Sequence, residues 1–156
     1  MKNLIYIVAS IGFIVVIGGA VYEHTTMVPI WASAAPASLT MFQGEYAIAP
    51  VNFWRPVHPI NLLLLIAALV FNWRTPRRKF LAVTIIGYVV ILAITIAYFV
   101  PELMAITQTP LATVADTSLT ARAQMWEKLS LVRLAVLVIL AVCLLLGLTK
   151  TESGSK

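Results

Sequence analysis

Apolar positions along this chain come in long unbroken runs, and polar residues mark particular faces of them. Residues 4–22, 80–100 and 129–149 each approach the roughly 20 apolar residues that a helix needs to cross a bilayer. A fourth run, 60–73, is shorter. The runs predict an all-α fold: a four-transmembrane-helix bundle forming one domain over 1–149, then a short polar tail at 150–156.

In the first run Gly12, Gly19 and Glu23 recur at intervals of seven and four, which places them on one helical face. Glycines let a neighbouring helix approach closely, so this face is expected to be packed. His24 is turned about 100° away and could meet a different neighbour or the interface. The second run is entered through "NFWRPVHPINLLLL" (52–65). Counting back about 20 residues from Trp73 reaches Trp54, so Arg55, His58 and Asn61 should lie at or below the interface. Pro59 suits a first helical turn, with His58 at the helix start.

In the third run Thr84, Tyr88, Thr95, Tyr98 and Glu102 fall at spacings of 4, 7, 3 and 4. That polar stripe should face the bundle interior, since lipid offers it no partners. Pro101 is expected to kink or end the helix. A polar loop over 103–125, with a short helix near "SLTARAQMWEKLS", leads to a fourth helix whose Trp126, Ser130 and Arg133 share a face. Arg133 sits about one turn into the apolar run. Its burial there is costly: it could snorkel to the outer surface or pair with Glu23 or Glu102 inside, and pairing is the favoured outcome. The loop over 25–58 carries four prolines and Trp31, Phe42, Tyr46, Phe53 and Trp54. It reads as an interfacial segment with a short helix lidding the bundle.

Composition agrees. Residues are 61% hydrophobic and 11% charged, against about 25% charged in soluble domains. The first apolar run, at 19 residues, exceeds the usual 7–15 of a signal sequence, so it is expected to stay as a helix. The single cysteine, Cys143, excludes an internal disulfide or a CxxC relay and reads as a packing residue.

Charge sets orientation. Lys2, the "NWRTPRRK" turn (72–79), Lys150 and Lys156 place seven cations on one side, with Glu152 the lone anion. The other side holds Arg55, Arg122, Lys128 and Arg133 against Glu23, Glu45, Glu102, Asp116 and Glu127. The positive-inside rule then puts both termini in the cytoplasm, as for a bacterial inner-membrane protein. The basic total needs no nucleic-acid partner, and there is no basic stripe with aromatics to read one.

Chemistry is therefore sought at the outer end. His58 or a carboxylate could act as a general base, with Arg133 or Arg55 stabilising the anion formed. The catalytic candidates are His58, Glu23, Glu102, Arg133 and Arg55. Trp54, Asn61, Tyr98 and Trp126, with Tyr88, would line a site for a small flat aromatic ligand. No cofactor is required. Glu23, His24, His58 and Glu102 form a donor set a transition metal could use, although no HxxxH, ExxH or HExxH spacing is present. A competing reading closes Glu23, Glu102, Arg55 and Arg133 into a salt-bridge network. That reading suits an accessory subunit of a larger membrane complex or a homo-oligomer. An ion pathway is disfavoured, because no inverted repeat is visible and the inner half lacks histidine.

Four segments, "GGAVYEHTTMVPIW", "WRPVHPIN", "NWRTPRRK" and "WEKLSLVR", together resemble the anthrone-oxygenase-like family of small four-helix membrane proteins. The resemblance spans about residues 1–148. Most of that family is a domain of unknown function, and members with assigned roles are similar to oxygenases that convert polycyclic anthrones to anthraquinones with dioxygen. It implies roles for Glu23, His24, Arg55, His58, Trp126 and Arg133. Ser130 stands where the family pattern would have Asn.

Overall fold

The computed structural model describes residues 1–150, so most of the proposed tail, with Glu152 and Lys156, lies outside the described residues. Every regular element among them is helical. Helix α1 (Lys2–Thr26) runs into the short α2 (Val28–Trp31), and a 3₁₀ turn follows at Leu39–Phe42. Then come α3 (Val51–Phe71), α4 (Arg78–Ile94), a π-helical turn (Thr95–Phe99), α5 (Val100–Thr107) and α6 (Thr117–Leu148). Four stretches of the described chain are long and apolar enough to cross a membrane: Lys2–Trp31, Val51–Phe71, Arg78–Thr107 and Thr117–Leu148. Their outer faces expose Ile11, Leu63, Ile86 and Ile139, which fits contact with lipid.

The glycine face of α1 packs as its spacing predicts. A methyl group at Gly12 would press on Asn61 Oδ1, and one at Gly19 would overlap the Phe53 ring. Both neighbours belong to α3. The other side of α1 meets α6, and α4 closes the bundle against α6 and α3. Phe13, Leu65, Tyr88 and Leu144 lie in the main core. A second core joins Trp31 and Leu39 of the loop to Phe99, Ile106, Leu119 and Trp126, so the loop does lie over one end of the bundle.

The opposite end is tied by Arg77. Its guanidinium donates to the Lys150 carbonyl at 3.0 Å and to the Asn3 side chain, and it lies over the Tyr6 ring. Tyr6 in turn donates to the Leu144 carbonyl at 2.7 Å. Both ends of the described chain and the basic turn therefore gather at one end.

Three boundaries differ from expectation. Helix α3 begins at Val51, which puts Pro56 and Pro59 inside it and His58 in its third turn, away from its start. The two missing donors would have served the carbonyls of Asn52 and Arg55, and both residues are exposed where other partners can reach them. Pro101 does not end the third span. Its ring cannot accept the usual helical geometry against the preceding turn, and the π-helical turn just before it absorbs the misfit. The expected short helix near 118–130 is the first part of one continuous α6. Leu119, Ala123, Trp126 and Ser130 follow at spacings of 4, 3 and 4 on its buried face, and no proline or glycine interrupts the segment before Gly147.

Candidate functional site

The polar groups meet where α1, α3 and α4 converge below the loop. Glu23 ends the packed face of α1. The Trp54 indole N–H of α3 donates to Glu23 Oε1 at 2.7 Å. One turn on, the His58 ring stacks on Trp54, with centroids 5.2 Å apart and planes at 19°. His58 Nδ1 then shares a 2.7 Å hydrogen bond with the Tyr88 hydroxyl of α4. Carboxylate, indole, imidazole and phenol thus form one connected series across three helices. Among the described residues His58 Nε2 has no hydrogen-bond partner, and it is not sealed off.

Asn61 lies a turn below His58 and is 1% exposed. Neither atom of its amide makes a hydrogen bond of good geometry, although the side chain lies close enough to influence the Tyr88 hydroxyl.

Arg133 enters from α6. It donates to Thr95 Oγ1 at 3.1 Å and to Ser130 Oγ at 2.8 Å, and its guanidinium carbon sits 4.2 Å from the Phe99 ring centre. Its charge reaches Glu23 and His58 without an ion pair to either carboxylate candidate. A guanidinium held by hydroxyls and a ring keeps its full charge available to a ligand anion.

Comparison with family models, curated proteins and solved structures finds no match.

Several sequence expectations are corrected here. Glu102 does not join the site, because Arg122 holds it bidentately at 2.8 and 2.9 Å. Arg55 lies on the exposed face of α3 and, among the described residues, makes no hydrogen bond or ion pair with the series. The closed network of Glu23, Glu102, Arg55 and Arg133 therefore does not form. Tyr98 is turned outward, 39% exposed, because the π-helical turn adds a residue to the helical repeat and brings Phe99 inward instead. Trp126 is a core residue: its indole donates to the Phe99 carbonyl at 2.9 Å and packs on Trp31. His24 does face a different neighbour. It stacks on Trp126 at 6.4 Å and its Nδ1 donates to the Ala20 carbonyl at 2.8 Å. The metal set Glu23, His24, His58 and Glu102 is dispersed, and among the described residues no three His, Cys, Asp or Glu side chains come together as ligands.

Sequence reasoning missed the partners of Arg133. Thr95 and Ser130 were visible as polar positions on two helices, but nothing in their spacing said they would share one cation. It also missed an open groove of about 580 Å³ beside Glu23, because one wall is the irregular segment before α3.

Proposed function

We propose that this is an integral membrane oxidoreductase of the anthrone-oxygenase type, acting on a small aromatic carbon acid. The carrying observation is the series Glu23–Trp54–His58–Tyr88. It orients the imidazole through Nδ1, and with Nδ1–H donating to the Tyr88 hydroxyl, Nε2 is the nitrogen that would take a proton. A general base needs that reach and orientation. Arg133, bound only to neutral groups, would stabilise the enolate left behind. Dioxygen then oxidises the activated methylene carbon. One oxygen atom enters the new carbonyl, and the other leaves as water with the two hydrogens of that carbon. The gathering of both chain ends with the basic turn supports an orientation with both termini in the cytoplasm of a bacterial cell. The alternative, an accessory subunit of a larger membrane complex, keeps the glycine face and the aromatic loop in its favour but not the four-residue salt-bridge network.

The test is anthrone oxidation by the full chain in nanodiscs, followed by anthraquinone absorbance and oxygen uptake. Turnover above that of empty nanodiscs is expected, and His58→Ala should lower it about 100-fold or more. Folded His58→Ala protein with full turnover would overturn the base role.

A further inference from the structure

The groove beside Glu23 runs between α1 and the segment leading into α3. Val15, Gly18, Tyr22, Ile48 and Phe53 wall it, and Glu23 is the charged residue at its edge. Two features mark it as more than a furrow between helices. At Gly18 an added methyl group would meet nothing within 4 Å, whereas the adjoining Gly19 position is already covered by Phe53. The space over Gly18 is therefore open by the chain's own packing. Second, Glu23 is only half satisfied: Trp54 occupies Oε1, and among the described residues Oε2 has no hydrogen-bond donor. A carboxylate oxygen bordering an apolar groove gains from any donor brought to it.

The walls narrow the ligand's chemistry. Among the described residues no Lys, Arg or His lines the groove, so it offers no cation to a phosphate or a carboxylate. A phospholipid headgroup would bring a phosphate with its ammonium and find nothing to pair it. A bare glycine floor beside the Phe53 and Tyr22 rings suits a planar apolar body. The surrounding surface of α1 exposes Ile14, Val15 and Val21, so the groove opens towards the lipid-facing side.

We infer that this groove binds a membrane-dissolved molecule with a flat apolar body and a single hydroxyl, the hydroxyl donating to Glu23 Oε2. The inference stands apart from the proposed function, since neither His58 nor Arg133 lines the groove. Binding itself does not depend on His58.

Binding of 2-naphthol and of 2-methoxynaphthalene to the full chain in phosphatidylcholine nanodiscs tests it, with empty nanodiscs correcting for partition. Naphthol should saturate one site per chain, and the ether, which has no donor, should bind about tenfold more weakly or worse. At Gly18 the first carbon of a leucine side chain meets nothing within 4 Å, and the rest would extend into the groove. Gly18→Leu should abolish saturable naphthol binding while leaving the melting temperature within a few degrees. Glu23→Gln should weaken naphthol several-fold and leave the ether unchanged. Equal binding of naphthol and ether, unchanged binding in Gly18→Leu, or loss of naphthol binding when phosphatidylethanolamine replaces phosphatidylcholine would each overturn it. Naphthol binding without anthrone turnover would sink the proposed function alone.

Discussion

His58 and Tyr88 share a 2.7 Å hydrogen bond between α3 and α4, and this bond fixes which ring nitrogen of His58 remains available. Without it the imidazole could rotate about its own side chain, held only by stacking on Trp54.

Tyr88→Phe should therefore cost both stability and orientation. Tyr88 is fully buried, and leaving the His58 nitrogen without its partner costs about 1–3 kcal/mol. Thermal melting in detergent should show that loss. Anthrone turnover should fall about tenfold or more while naphthol binding in the groove is kept. Unaltered turnover would show that the bond does not position the base.

Glu102 gives the opposite expectation. Its partner Arg122 has a side chain 49% exposed, and exposed pairs contribute about 0–1 kcal/mol. Glu102→Gln and Arg122→Ala should each change melting only slightly and leave turnover at the wild-type level. A large activity loss in Glu102→Gln would return that carboxylate to the site.

Arg77 should matter more than a surface cation in a turn. It is 7% exposed, and hydrogen bonds from a charged donor contribute about 1.5–3 kcal/mol each. Arg77→Ala should lower the melting temperature and speed hydrogen exchange at Leu148 and Thr149. Arg77→Lys should not restore protection, because an ammonium cannot reproduce the planar fork that reaches Asn3 and Lys150 together. Full recovery with lysine would show that charge alone suffices.

Asp116 caps α6. Its carboxylate accepts from the Leu119 N–H and from the hydroxyl and N–H of Ser118, and these bonds hold it below the ordinary aspartate range. A carboxyl group whose proton affinity is lowered by folding stabilises the fold above its unfolded pKa, about 3.9, and loses that contribution as pH falls through the lower folded value. Wild type should therefore melt higher than Asp116→Ala at neutral pH, with the gap closing below about pH 4. Asp116→Asn should keep part of the cap and show less of this pH dependence. A gap constant down to pH 2 would exclude the ionised cap.

The one-dimensional pattern was informative wherever a single helix decides. Gly12, Gly19 and Glu23 were correctly expected to face a close neighbour, and of the two places open to His24, a second neighbour or the interface, the structure takes the first. Trp126, Ser130 and Arg133 do share a face, and Ser130 binds Arg133. The stripe on the third span held as far as Tyr88 and Thr95, then failed at Tyr98. A period of 3.6 residues cannot be carried across a π-helical turn, and only Pro101 hinted that one was there.

The amino-acid sequence by itself determined four apolar spans, the gathering of cations into one turn and the face each helix turns inward. These follow from local periodicity and from the cost of placing polar groups in lipid. Only the tertiary structure decided that Glu102 belongs to Arg122, that Arg133 rests on Thr95, Ser130 and Phe99, and that Trp54 links Glu23 with His58. Pairing depends on the relative depth and rotation of separate helices, and that information is spread over every packing contact between them.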